Sequence, residues 1–117
     1  MAENRRSIGS RYEKIAAEYL SSLGYDILCM NFHSRSGEID IIGMEGNSLC
    51  FVEVKYRKNL SGGFPGEAVT LSKQKRIIQT SEYYMMIHRL TGVNRRYDVV
   101  EILGDRIRLT RNAFGGF

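Results

Sequence analysis

The chain has no apolar run near the ~18 residues that a membrane-spanning helix requires. Its polar opening, Met1-Ala2-Glu3-Asn4-Arg5-Arg6, is followed by no signal-type hydrophobic stretch. A cytoplasmic location with no membrane partner is therefore expected. Cysteine is scarce. Cys29 and Cys50 are the only two; they lie in apolar stretches, form no Cys-x-x-Cys pair and lack the spacing of a four-ligand zinc site. That excludes a disulfide framework or structural zinc and leaves buried free thiols as the expectation. Proline occurs once, at Pro65, within a glycine-containing segment 59–66, which reads as a flexible loop suited to closing over a ligand. Internal repeats and low-complexity tracts are absent.

What is present fits one domain: 117 residues, 43% of them hydrophobic, can bury a core but not two. The net charge of +4 is modest, yet the cations are grouped, as Lys55-Tyr56-Arg57-Lys58, Lys73-Gln74-Lys75-Arg76, Arg95-Arg96 and Arg106 to Arg111, with Arg5, Arg6 and Arg11 at the start. Such grouping suits a polyanion and makes nucleic acid, DNA in particular, the expected partner. Lys58, Lys73, Gln74, Lys75 and Arg76 are the candidate binding residues. The competing reading is that these are ordinary solvated faces.

Ser10-Arg11-Tyr12-Glu13 has the form of a capping box and opens a segment with Tyr12, Ile15, Ala16, Tyr19, Leu20 and Leu23 at helical spacing, ending at Gly24. A strand is expected over 25–30, then a polar loop over 31–37. A hairpin follows, and a second helix capped by Thr70 or Ser72 runs to about Leu90. Strands over 97–103 and 106–110 form a last hairpin around Gly104-Asp105, with residues 1–9 and 112–117 as loose tails of the single domain. The order αβββαββ argues for an α/β fold in which a mixed β-sheet is flanked by helices.

The central hairpin carries the chemistry. Strands over 38–44 and 48–56, closed by a Gly46-Asn47 turn, set Glu45 opposite Ser48, Asp40 opposite Glu53 and Glu38 opposite Lys55. Alternation then projects Glu38, Asp40, Glu53 and Lys55 from one face. Like charges opposed across a strand pair are destabilising, so the two acids call for a cation. Mg²⁺ or Mn²⁺ suits oxygen ligands, and Asp40 and Glu53 with the Val54 carbonyl supply them. Such a centre would serve phosphodiester hydrolysis, with Lys55 orienting water or stabilising the transition state. Glu13 has two readings, a helix cap or a further acid at the centre. Glu38, Asp98 and the loop residue His33 receive no role, and of Tyr83-Tyr84 the helical spacing places Tyr84 in the core.

Asp40 followed across a hairpin by Glu53-Val54-Lys55 resembles the PD-(D/E)xK signature of restriction-endonuclease-like nucleases. The longer pattern is similar to the YraN-like family of small bacterial proteins. It comprises a helix-borne Glu, Gly24-Tyr25 before a strand, Gly37-Glu38-Ile39-Asp40, Phe51-Val52-Glu53-Val54-Lys55, a loop leading to Glu67-Ala68-Val69, a Lys-rich helix start and Tyr97-Asp98-Val99-Val100. Archaeal Holliday junction resolvases share part of it. The resemblance implies a restriction-endonuclease-like sheet, Mg²⁺-dependent cleavage of DNA, branched DNA in repair or recombination included, and Glu13, Asp40, Glu53 and Lys55 as catalytic residues. Resolving a junction would further require two sites, hence a homodimer. Ile39 stands where the signature has Pro. The rival readings are a non-catalytic nucleic-acid-binding module of the same fold and an interaction protein whose acids are surface decoration.

Overall fold

The computed structural model describes residues 5–57 and 69–115, with side chains from residue 10 onward. Lys58, the loop over 59–66 and Glu67 lie outside the described residues. The elements are α1 (Arg5–Ser22), β1 (Asp26–Ser34), β2 (Gly37–Glu45), β3 (Ser48–Arg57), α2 (Leu71–Ile87), β4 (Asn94–Leu103) and β5 (Arg106–Phe114). The strands form one sheet in the order β1-β2-β3-β4-β5. Only β3 and β4 are parallel, and α2 lies between them in the chain. The architecture is thus the mixed sheet with flanking helices that the element order implied.

Each helix covers one face. Ala16, Ala17 and Leu20 of α1 pack with Ile41, Cys50, Val52, Val100 and Ile102. Ile77 and Tyr84 of α2 pack with Ile39, Ile42, Phe51, Tyr97 and Val99. Phe51, fully buried, meets the rings of Tyr84 and Tyr97 at 6.0 and 5.7 Å. Such pairs add roughly 0.5–1.5 kcal/mol beyond area burial. Thr70 caps α2, its Oγ1 accepting from the Lys73 N–H at 3.2 Å.

Three stretches depart most from the sequence reading. The helix α1 begins at Arg5, so Ser10 lies inside it and the capping box does not form; before Ser10 only Gly9 opposes a helix, at about 1 kcal/mol. The supposed loop over 31–37 is mostly strand, because Phe32, His33 and Ser34 pair with Ile39, Glu38 and Gly37 and Phe32 buries edge-on against Tyr84, 5.1 Å between ring centres. The last strand reaches Phe114, which stacks on Tyr97 at 5.3 Å, so residues 5–9 and 112–114 of the two expected tails are regular structure.

Gly43 sits in the middle of β2, paired to Ile27 and Cys50. A Cβ there would lie 2.9 Å from the Asp26 carbonyl oxygen, a backbone atom that cannot move aside alone. Gly43→Ala is expected to destabilise the fold by about 1–3 kcal/mol, read as a lower urea midpoint at unchanged m-value.

Candidate active site

The β2–β3 hairpin has the anticipated register, from Glu45 opposite Ser48 to Ile41 opposite Val52. There the ladder ends. The next N–H that faces β2, that of Val54, donates instead to Asp40 Oδ2 at 2.8 Å. A side chain thus takes over from the backbone where the strands part, and it ties Asp40 to the Glu53-Val54-Lys55 segment. Glu38 is not opposite Lys55 as expected: its partner is His33 of β1, with His33 Nδ1 and a Glu38 carboxylate oxygen 3.3 Å apart on the surface.

Strict alternation also fails at this point. Ile41 packs on the α1 side, yet Ile39, two residues earlier, packs on the α2 side. On β1 the matching residue is Asn31, whose φ of 56° is a left-handed conformation that Asn tolerates better than most residues. The twist leaves Asp40 at the crossing, where both helices reach it. From α1, Glu13 comes near enough to Asp40 and Asn31 for both to act on its carboxyl, and its neighbour Tyr12 stacks on Tyr56 of β3 with ring centres 4.1 Å apart. From α2, Lys73 places its Nζ 2.6 Å from Glu53 Oε1.

The electrostatics are those of acids held out of water. Burial raises Asp40 to about 6, against the opposing Val54 hydrogen bond, and Glu13 adds to the rise. Burial raises Glu53 to about 7, with Asp40 pushing the same way and Lys73 opposing. Glu13 is also raised, chiefly by burial. Burial works against the Lys73 ammonium, but its bond to Glu53 holds the net shift upward.

Of the expected binding residues, Lys73 is therefore committed to Glu53 rather than to a free surface. Gln74 donates from Nε2 to the Val69 carbonyl at 2.8 Å, which secures the start of α2. Lys75 and Arg76 are exposed. Asp98 finds a structural role: fully buried, it accepts from Tyr25 Oη, Arg96 Nε and the Asn112 N–H at 2.8 to 2.9 Å.

Sequence reasoning missed two members of this neighbourhood. One is the Lys73 bond across to Glu53. The other is Glu101, the register neighbour of Lys55 on β4; it is buried, takes two hydrogen bonds from Arg108 on Oε1, and has no partner for Oε2. Its sequence signal was an acid inside the apolar run Val99-Val100-Glu101-Ile102-Leu103.

Among the described residues, no three His, Cys, Asp or Glu side chains converge as a metal-ligating group. The donor set still fits a hard divalent cation that keeps several waters, since Mg²⁺ commonly takes only one or two carboxylates. Burial raises both carboxylates and Asp40 pushes Glu53 further up, a crowding of acids that a cation would relieve.

The fold and site define a small α/β domain whose acidic hairpin is clasped between two helices. Residues 12–102 match the uncharacterised protein family UPF0102, and the chain belongs to that family. It is 48% identical to the UPF0102 protein of Lachnoclostridium phytofermentans over 115 residues, 97% of this chain and 98% of that one. With the UPF0102 protein of Caldicellulosiruptor saccharolyticus the identity is 40% over 117 residues, 95% and 99% of the two chains. With that of Chlorobium limicola it is 43% over 105 residues, 90% and 81%.

Proposed function

We propose that this protein is a divalent-metal-dependent endonuclease that hydrolyses DNA phosphodiesters, with branched DNA as the favoured substrate. The observation that supports this best is the Asp40–Glu53 pair: a half-buried and a buried carboxylate, both raised, just past the end of the β2–β3 ladder, with Lys55 following Glu53 by two residues.

Asp40, Glu53 and the Val54 carbonyl would hold Mg²⁺ or Mn²⁺, which supplies a hydroxide source at neutral pH and positive charge beside the phosphate. Asp40 is oriented for this by the Val54 N–H, which fixes one of its carboxylate oxygens. Lys55 orients the attacking water and offsets the charge that builds on the phosphate. Glu13 reaches Asp40 from α1 and is available to position water, because inside the helix it has no capping duty. Cutting both strands at a branch requires two such sites, hence two copies of the chain.

One observation favours the rival reading of a silent binding module: Lys73 already neutralises Glu53. A panel of branched, single-stranded and blunt duplex DNAs, incubated with Mg²⁺, Mn²⁺ or EDTA, separates the two. The nuclease reading expects metal-dependent cleavage, strongest on branched DNA, and loses its ground if the wild type binds but never cuts. Glu13→Gln tests the reach of α1. Cleavage should fall by about a hundredfold or more, the scale of a lost positioning or charge-stabilising group, whereas the exposed Glu18→Gln should cut like the parent. Unimpaired cleavage by Glu13→Gln would reduce Glu13 to a packing residue.

A further inference from the structure

Beside the acidic hairpin runs a trough that the proposed chemistry does not use. One part, about 520 Å³, lies between α2 and the start of β2 and is walled by Lys73 and Arg76. A second part, about 390 Å³, continues past the β1–β2 turn and is walled by Arg35 and Tyr83. His33 and Ser34 border both, so the two parts join. Below them α2 sits close on the turn, with Ser34, Ser36 and buried Thr80 linked through their hydroxyls at 3.0 to 3.5 Å.

Lys73, Arg76 and Tyr83 recur at helical spacing along one stripe of α2, so the ring stands about 15 Å along the axis from the lysine that touches Glu53. Tyr84 next to it is buried, while Tyr83 is 43% exposed; its ring contact is a tilted one with Phe32, centres 6.1 Å apart. Neither Arg35 nor Arg76 has an ion-pair partner among the described residues, and the acid on the rim, Glu38, is engaged by His33. The trough therefore offers unspent positive charge at two points and an open aromatic face at its far end.

Resting on the nuclease reading, we infer that this trough carries an unpaired stretch of the DNA substrate, its phosphates beside Arg35 and Arg76 and one base stacked on Tyr83. An unpaired strand is the occupant because a base inside a duplex is already stacked on its neighbours, whereas a free base has a π-face to offer an exposed ring. The trough leads from the acidic pair, so the stacked base lies a few nucleotides from the bond to be cut.

The test is binding, measured without cleavage: Asp40→Asn protein in EDTA, with fluorescence anisotropy of a labelled single-stranded oligonucleotide and of a blunt duplex. Adding Tyr83→Ala should weaken single-strand binding about tenfold, on the scale of one aromatic stack, and leave the duplex unchanged. Tyr83→Phe should restore the parent affinity. Arg35→Ala with Arg76→Ala should flatten the salt dependence by a slope of about 0.7 for each lost contact. Equal single-strand affinity in Tyr83→Ala and parent would overturn the inference, as would equal losses on both DNAs. These outcomes are independent of the cleavage panel: loss confined to the single strand upholds the trough even if no DNA is cut, and an unchanged Tyr83→Ala sinks it even if DNA is.

Discussion

Asp40→Asn and Glu53→Gln should each lower metal-dependent cleavage by about a thousandfold or more, and Asp40→Asn should at the same time make the metal-free protein more stable. Both effects come from the same carboxylates. Burial holds Asp40 at about 6 and Glu53 at about 7, above their ordinary values of 3.8 and 4.5. An acid raised on folding binds its proton more tightly in the folded state. Its contribution is therefore most favourable below the unfolded value and is lost as pH rises through the folded one. The metal-free fold should gain stability as pH falls from about 8 to about 5, and that gain should shrink in Asp40→Asn. At pH 8 in EDTA the variant should melt about 5 °C above the parent, on the scale of 1–2 kcal/mol. The hydrogen bond from Val54 survives, since the Asn side-chain oxygen still accepts. A variant both inactive and less stable would mean that Asp40 is a structural residue.

The second large effect concerns Asp98, at the other end of the sheet. Its two oxygens hold Tyr25 just before β1, Arg96 on β4 and the Asn112 N–H on β5. Arg96 in turn reaches Glu45 at 2.6 Å, and Arg111 closes on the same carboxylate at 2.7 Å. Asp98→Ala leaves a half-buried guanidinium with one carboxylate partner, leaves the Tyr25 hydroxyl with no acceptor for its proton, and strands the Asn112 N–H. Breaking a buried pair on one side costs about 3–5 kcal/mol, a large part of the stability of a small domain. Chemical denaturation should show this loss, and a drop below about 1 kcal/mol would mean that water replaces the carboxylate. Glu45 belongs to the same network and is lowered to about 2, first by its hydrogen bonds from Arg111. Its contribution should be complete above the ordinary value of 4.5 and fade as pH falls toward 2.

The two ends of the molecule were unequally legible in the sequence. The β2–β3 register could be read because a Gly-Asn turn fixes it and alternation reports it, and the placement of Asp40 near Glu53 follows from those local facts. The continuation of β1 through Phe32 and Ser34 could not, because that segment reads as polar and its strand character comes from the partner strand and from Tyr84. Alternation itself misled at Glu38: the left-handed Asn31 and the crossing at Asp40 redirect a strand that a strict period of two keeps straight. Lys73 looked like a surface cation because its partner, Glu53, is twenty residues away in sequence and meets it only when α2 packs on the sheet. Tyr83 and Tyr84 were separable, since helical spacing puts one in the core and leaves the other outside.

Titration of Mn²⁺ into ¹⁵N-labelled protein tests most directly whether the acidic pair is a metal centre. The paramagnetic ion should broaden first the backbone amides of Asp40, Glu53, Val54 and Lys55, at concentrations that leave β5 sharp. The double variant Asp40→Asn with Glu53→Gln should keep those signals over the same range. Broadening that persists in the double variant, or that begins elsewhere on the surface, would contradict a metal held between Asp40 and Glu53.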